Sequence, residues 1–204
     1  MHIVDGALST EVLIGGAAIT AVGLGLGLKK LNIENIPTAG VLSASFFIAS
    51  LIHVPLGPSS VHLILSGLAG LVLGWAAFPA LFVGLLLQAV FFGFGGLTVL
   101  GVNAVNIALP AVIVYFICRR GVLSENRTVA ALWGAFGGGL AIALTTVFVA
   151  ISLALTGDEF FEAVKLVLFA HVPVMIIEGV LSGMAVLLIH RVKPDLFQVA
   201  TRAV

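Results

Sequence analysis

Residues 59–78 read SSVHLILSGLAGLVLGWAAF and contain no Asp, Glu, Lys or Arg. Because an α-helix rises about 1.5 Å per residue, a run of about 20 apolar residues can cross the hydrocarbon core of a bilayer. The turn sequence PLGP at residues 55–58 precedes the run, and Ser59 or Ser60 can cap it. Pro79 follows it and suits the first turn of another helix. This stretch therefore predicts a membrane-spanning helix.

Similar apolar runs lie on both sides of this one, separated by charged residues and by Pro or Gly breaks. Together they predict an all-α, polytopic integral membrane protein with seven transmembrane helices, built as a single transmembrane domain over residues 1–204. Pro173 predicts a kink in the last helix. The predicted helices cover residues 10–28, 37–54, 59–78, 79–94, 105–118, 128–155 and 159–190.

Overall composition excludes several classes of protein. The chain has 204 residues, of which 61% are hydrophobic and only 9% are charged, and a soluble domain of this size could not bury that much apolar surface. Its formal net charge is zero, so it offers no broad basic surface for nucleic acid. Cys118 is the single cysteine, which excludes an internal disulfide.

The distribution of charge predicts the orientation in the membrane. Cytoplasmic loops collect Lys and Arg, whereas external loops do not. With an external amino terminus and a cytoplasmic carboxy terminus, Lys165 is the only cation on the external side. The external loop at residues 157–162 holds the acidic residues Asp158, Glu159 and Glu162 instead. The cations that this topology places on the cytoplasmic side are Lys29, Lys30, Arg119, Arg120, Arg127, Arg191, Lys193 and Arg202.

Glycine is the other strong compositional signal, with 24 copies. Small residues at helical spacing permit close packing of helices, and we favour internal packing over docking of a partner for these stripes. Residues 93–106 are too rich in glycine to predict a regular helix, and irregular backbone at membrane depth must be buried in protein or line a cavity. The small-residue stripes are Ser66-Gly70-Gly74 and Gly179-Gly183.

Three histidines are candidates to converge on the external side: His2 at the amino terminus, His53 at the end of the second predicted helix and His62 in the first turn of the third. His53 and His62 flank the Pro/Gly turn and thus start close together. His2 can join them only if the terminus folds inward. The alternative is a disordered terminus, with His53 and His62 as interfacial residues.

The Met1-His2 pair has a specific coordination chemistry. One metal ion can bind the α-amine, the backbone amide nitrogen of His2 and its imidazole Nδ1 in two fused chelate rings, and His62 could supply a fourth nitrogen. Such a square plane suits Ni(II) or Cu(II), disfavours tetrahedral Zn(II) and excludes Mg(II) and Ca(II). The first residues contain no Lys or Arg, unlike a secretory signal, so we expect the start of the chain to be retained. Aminopeptidases that act only before small residues should also leave Met1 in place, because His2 is bulky.

Two further groups lie inside predicted helices. His171 and Glu178 are seven residues apart and share one helix face, and ionisable groups within a membrane are functional candidates. They could take part in coupling or proton handling, or Glu178 could be neutral or hydrogen-bonded to a neighbouring helix. Asn103 and Asn106 could donate hydrogen bonds to a ligand or to backbone groups that the Gly-rich segment leaves unpaired.

Motifs for catalysis are missing from the sequence. It has no GxxxxGK[ST] phosphate loop, HExxH pair or GxSxG elbow, so an ATP-driven process would need an ATPase on another chain. The rival functions are an intramembrane metalloenzyme that uses His53, His62 and His171, and a passive ion channel. A channel would need a continuous polar pore, which these helices do not suggest.

Several segments resemble the substrate-binding membrane subunits of energy-coupling-factor nickel/cobalt transporters of the NikM/CbiM type. They are MHIVDGALS at residues 1–9, SLIHVPLGPSSVHLILSGLAGLVLGWAAFPAL at 50–81, FGFGGLTVLGVNAVN at 92–106 and HVPVMIIEG at 171–179. The resemblance covers most of the chain. It implies seven helices with the external amino terminus inserted into the core.

The same resemblance implies a ligand set and partners. The metal ligands would be Met1, His2 and His62. Apart from the resemblance, we expect His53 and Asn103 to support these ligands. His53 fits the nickel-type pattern better than the cobalt-type one, which favours Ni(II) over Co(II) as the transported substrate. The implied partners are a transmembrane coupling subunit, cytoplasmic ATPase subunits and a small additional membrane subunit, in a prokaryotic inner or plasma membrane.

Overall fold

The computed structural model describes residues 2–51, 53–56, 59–157 and 160–197, and α-helices account for most of them. Side chains are described over the same ranges except at residues 53–56 and 59–61. Short 3₁₀ turns, Ile33–Asn35 and Gly74–Ala76, adjoin two of the helices. The elements are α1 (Thr10–Lys30), α2 (Ile36–Ala49), β1 (His53–Leu56), β2 (Ser59–His62), α3 (Ser66–Leu73), α4 (Ala77–Phe92), α5 (Leu100–Val122), α6 (Arg127–Ala154), α7 (Phe161–Ala170) and α8 (Val172–Val192).

Five helical segments in the described part of the chain are long and apolar enough to cross a membrane, and α2 belongs to a shorter apolar helix. The prediction of a helical, multi-pass protein is thereby confirmed in outline, whereas the number of seven spans stays a prediction. The five segments are Thr10–Lys30, Ser66–Phe92, Leu100–Val122, Arg127–Ala154 and Phe161–Val192.

The predicted helices 59–78 and 79–94 form one long segment in the structure. Its interruption falls at Gly74, which has a φ of 58° and ends α3, and not at Pro79. Pro79 lies in the first turn of α4, where its missing N–H costs no helical hydrogen bond. The last segment is interrupted in a similar way, because α7 ends at Ala170 and Pro173 lies at the start of α8.

A short β-hairpin replaces the predicted start of the third helix. The prediction that Ser59 or Ser60 caps a helix is wrong, because residues Ser59–His62 form β2, which pairs antiparallel with β1. Proline cannot donate a backbone hydrogen bond and disfavours the helical conformation in the residue before it, so Pro55 and Pro58 oppose a helix here. Two extended segments that pair with each other satisfy their backbone groups instead.

Helix α5 begins earlier than predicted, at Leu100 and not near residue 105. Its first turn packs against α1, where the Thr20 hydroxyl donates to the Gly101 carbonyl oxygen at 2.6 Å. A Cβ on Gly101 would lie 2.8 Å from the Ala17 Cα, so glycine permits this close approach. The residues that remain outside helices between α4 and α5 are 93–99.

The glycine stripes pack helix against helix inside the molecule. A Cβ on Gly70 of α3 would overlap the Ala111 carbonyl of α5, and Cβ atoms on Gly179 and Gly183 of α8 would lie within 3.0 Å of backbone oxygens of α6. Because a neighbouring backbone occupies the space of each missing side chain, the interpretation as internal packing is confirmed for these positions. By contrast, a Cβ on Gly25 of α1 would meet no atom within 4 Å.

We expect Gly70→Ala to lower the melting temperature in detergent, because a single methyl group would press on the α5 backbone and overpacking typically costs about 1–3 kcal/mol. Gly25→Ala is the matched control, since it adds the same methyl group to a helix where nothing is in contact, and alanine favours the helix. Thermal unfolding of both variants by fluorescence checks this. Equal melting temperatures would contradict the assigned α3–α5 contact.

Candidate metal centre

The amino-terminal segment before α1 packs against the helical bundle and buries three of its side chains there. Ile3 is fully buried, His2 is 4% exposed and Leu8 is also buried. Ile3 and Leu8 belong to an apolar cluster with Val99 and Val102 at the start of α5. The burial of these side chains holds residues 2–8 against the helices.

Asn103 binds this segment through both the oxygen and the nitrogen of its side-chain amide. The Ile3 N–H donates to Asn103 Oδ1 at 2.9 Å, and Asn103 Nδ2 donates to the Ile3 carbonyl oxygen at 3.0 Å. The side chain thus satisfies both backbone groups of Ile3, as a neighbouring β-strand would. Gly95 has a φ of +76°, and a Cβ there would lie 2.8 Å from Asn103 Nδ2, so both the backbone and the close contact favour glycine where the segments meet. Asn103 therefore fixes the residue that directly follows His2.

Asp5 makes the second attachment, to the Gly-rich residues 93–99. Its N–H donates to the Gly95 carbonyl oxygen at 2.8 Å, and its Oδ1 accepts from the Thr98 hydroxyl at 2.5 Å and from the Val99 N–H at 3.3 Å. Gly6 has a φ of +81°, so the Asp5-Gly6 turn that redirects the chain uses a conformation that favours glycine. The Gly-rich segment serves as the surface on which the amino terminus rests.

His2 and His62 meet inside the bundle. Their ring centroids are 4.6 Å apart with an interplanar angle of 24°, and His62 is only 3% exposed. His62 Nδ1 lies 2.9 Å from the carbonyl oxygen of Leu63, which fixes the tautomer with a proton on Nδ1 and the lone pair on Nε2. A backbone carbonyl in this role is typical of histidines that bind metal, because it orients the ring.

His62 and His53 lie in the β-hairpin and not on helices. His62 is the last residue of β2 and does not lie in a helix, and the backbone of His53 is directly opposite it in the hairpin. His53 is therefore in a strand and not at the end of the second helix, which stops at Ala49. The His53 side chain and all of Met1 lie outside the described residues.

His171 and Glu178 are both fully buried. His171 Nδ1 lies 2.5 Å from the Val167 carbonyl oxygen, a local contact at the break between α7 and α8. Glu178 accepts hydrogen bonds from the backbone N–H groups of Ile64 and Leu65. These residues lie in the connection before α3, whereas the sequence interpretation proposed a hydrogen bond to a neighbouring helix. Within the described side chains, no group of three or more His, Cys, Asp or Glu is placed to hold a metal ion.

Asn106 and the start of α3 complete the surroundings. Asn106 Oδ1 accepts from the Ser152 hydroxyl of α6 at 3.1 Å, so its described contact is to a side chain and not to backbone of the Gly-rich segment.

Leu65, just before α3, has a φ of 55° and is the one non-glycine residue with positive φ in the described part of the chain. Leu65 lies three residues after His62, and the sequence contained no signal for its conformation.

Residues 2–196 match the family model described as the cobalt uptake substrate-specific transmembrane region, CbiM. The chain belongs to this family. The match covers the amino-terminal segment, the hairpin and α1 to α8 of the CbiM-type chain. It confirms the family that the opening Met-His and the later motifs resembled.

Relatives of the CbiM-type chain are named for metal transport. A protein of Haemophilus influenzae named for metal transport is 40% identical over 200 residues, which cover 96% of both chains. The fused nickel transport protein NikMN of Rhodobacter capsulatus is 32% identical over 86% of this chain, which spans 53% of that longer protein. The cobalt transport protein CbiM of Geobacter sulfurreducens is 28% identical over 96% of this chain and 61% of its own length.

A solved structure has a similar fold. A crystal structure described as a transition metal transporter superposes with a TM-score of 0.78 at 28% identity and covers 94% of this chain and 93% of the other. The family and these relatives establish a nickel/cobalt transport family with helices that are apolar enough to span a membrane. The relatives are named for metal transport and not for a catalysed reaction, which is consistent with a transporter rather than an enzyme.

We expect Asn103→Ala to release the amino-terminal segment, because it removes both hydrogen bonds to Ile3 and leaves buried backbone groups unpaired at a cost of about 1–3 kcal/mol each. The amides of residues 3–5 should then exchange with deuterium much faster. Asn106→Ala removes a buried amide one turn further along α5 without touching Ile3, and it should leave that exchange unchanged. Slow exchange in Asn103→Ala would show that burial alone holds the segment.

Proposed function

We propose that this chain is the substrate-binding membrane subunit of an energy-coupling-factor transporter that takes up Ni(II). The observation that carries the proposal is the buried pair of His2 and His62, whose ring centroids are 4.6 Å apart at the end of a clamped amino-terminal segment. Family membership and relatives named for nickel and cobalt transport support it. Co(II) uptake by the same mechanism is the alternative.

The proposed ligands are the α-amine of Met1, the amide nitrogen and Nδ1 of His2, and Nε2 of His62. Two imidazoles alone hold an ion weakly, whereas the amine and amide add two fused chelate rings and create a four-nitrogen square plane. That geometry favours Ni(II) over Zn(II). The Asn103–Ile3 hydrogen bonds support this arrangement, because they fix the backbone immediately after the chelating residue. His53 and Asn103 are proposed to support the ligands without binding the ion.

The proposed topology has seven spans, with the amino terminus external and the carboxy terminus cytoplasmic, in one transmembrane domain of a prokaryotic inner or plasma membrane. The ends of α5 support it. Asn103, near the start of α5, contacts the amino-terminal segment, whereas Arg119 and Arg120 lie in its last turn. A helix of 23 residues is about 35 Å long, so the candidate site and these cations lie at opposite ends of a span.

A transmembrane coupling subunit and cytoplasmic ATPase subunits are proposed to complete the transporter, with a small additional membrane subunit. The fused NikMN relatives support a partner of this kind, because the chain spans only 53% and 68% of their lengths. The proposed division of labour has this chain capture the ion and its partners supply the energy from ATP.

The first test adds a tag of several Ser and Gly residues, without histidine, before Met1. The tag converts the α-amine into a peptide bond and leaves no free amine within chelating reach of His2, so we expect Ni(II) binding to be lost and the yellow colour of low-spin square-planar nickel to disappear, as measured by metal content and absorption of purified protein. The same tag added after Val204 is the control and should have no effect. Intact mass must first show that Met1 is the terminal residue. Tight binding with the amine blocked would refute the chelate.

The second test compares histidines. His2→Ala and His62→Ala should each remove bound Ni(II), because each takes at least one nitrogen from the square plane. His190→Ala is the matched control, since His190 Nε2 contacts the Val122 carbonyl oxygen at the far end of α5. Isothermal titration with Ni(II) checks all three variants. If His62→Ala binds as tightly as the unaltered protein, His62 is not a ligand.

A further inference from the structure

A short connection joins the proposed ligand His62 to helix α3. It consists of residues 63–65, between the end of β2 and Ser66. Leu65 has a φ of 55°, a conformation that L-residues adopt only when their surroundings impose it. The residue before α3 supplies no side-chain cap, so the backbone N–H groups at this helix start need acceptors from elsewhere in the molecule.

The acceptor is a carboxylate that arrives from the last helix. Glu178 Oε1 accepts from the Ile64 N–H at 2.5 Å and from the Leu65 N–H at 2.8 Å, and Oε2 lies 3.1 Å from the Leu65 nitrogen. Glu178 is fully buried and 114 residues from Ile64 along the chain. Hydrogen bonds to a carboxylate are stronger than those between neutral groups, and the N-terminal end of a helix favours negative charge.

These bonds continue to the His62 ring. His62 Nδ1 is bonded to the carbonyl oxygen of Leu63, and the next two N–H groups of the chain are bonded to Glu178. The imidazole is therefore held by a carbonyl whose own position depends on the Glu178 carboxylate. Partners of this kind, one step removed from the ion, set the direction in which a histidine offers its lone pair.

The helix that carries Glu178 is itself tightly packed. A Cβ on Gly138 of α6 would lie 2.6 Å from the Glu178 carbonyl oxygen, and one on Gly179 would lie 3.0 Å from the Ala135 carbonyl oxygen. The backbones of α6 and α8 are in direct contact around Glu178. The Glu178 carboxylate thus extends from the closely packed helix α8 to the irregular connection at residues 63–65.

We propose that Glu178 is the positioning residue for His62: by fixing residues 64–65, it holds the imidazole in the direction that the square-planar site needs. The role rests on the proposed function, because His62 must be a ligand. It differs from coupling or proton handling, since the carboxylate acts through a constant set of hydrogen bonds. The proposed role also differs from electrostatic attraction of the metal ion. It depends on the length of the side chain, which must reach the N–H groups of Ile64 and Leu65.

Three substitutions separate position from charge. Glu178→Ala removes the acceptor, and we expect about a 10–100-fold loss of Ni(II) affinity with a shifted nickel absorption band. Glu178→Gln keeps the reach and one acceptor oxygen, so its loss should be smaller. Glu178→Asp keeps the charge but withdraws it by one methylene, so its loss should approach that of alanine. Ser182→Ala, one turn away and equally buried, is the matched control and should bind as the unaltered protein does.

Hydrogen exchange of the Ile64 and Leu65 amides in metal-free protein is the second readout. It should accelerate in Glu178→Ala and Glu178→Asp and change little in Ser182→Ala. Unchanged affinity, band position and exchange in Glu178→Ala would overturn the proposal, and so would an aspartate variant that binds better than the glutamine variant. Should Glu178→Ala fail to fold, the order of Gln and Asp decides. If the unaltered protein binds no Ni(II), the proposed function fails, whereas the exchange result still tests the contact.

Discussion

The pairing of Asn103 with the backbone of Ile3 is the contact on which the candidate site depends. A non-helical segment inside a helical membrane protein carries N–H and C=O groups that neither lipid nor the segment itself can satisfy. One buried amide side chain supplies both a donor and an acceptor to the same residue, at 3.0 and 2.9 Å. Without it, burial of His2 would leave unpaired backbone groups beside an apolar cluster.

The same constraint recurs at the second irregular segment. The hairpin of β1 and β2 satisfies its backbone by strand pairing, and the connection to α3 uses the Glu178 carboxylate as an acceptor. The two irregular segments approach each other at His2 and His62. Regular helices thus form the scaffold, and the residues proposed to bind the ion lie where the backbone leaves helical geometry.

Glycine has two separate uses in this chain. At Gly70, Gly179 and Gly183 it lets helix backbones approach closely, which makes α3, α5, α6 and α8 a closely packed unit. At Gly95 and Gly96 it provides positive φ angles and room for the amino-terminal segment. The first use supports the scaffold, and the second shapes the surface that receives His2. A high glycine content in a membrane protein can therefore reflect irregular backbone segments as well as close helix packing.

The sequence by itself determined the membrane class, most of the spanning segments, the family and the histidines of interest, because hydrophobic runs, charge placement and short motifs are local properties. It placed His62 on a helix and capped that helix with Ser59 or Ser60, and both were wrong because strand pairing joins residues across the Pro/Gly turn. Only the tertiary structure decided that Asn103 binds Ile3 and that Glu178 binds Ile64 and Leu65, at separations of 100 and 113–114 residues. No local pattern encodes such contacts. They arise when packed helices bring a buried polar side chain to backbone groups that have no partner within a helix or strand.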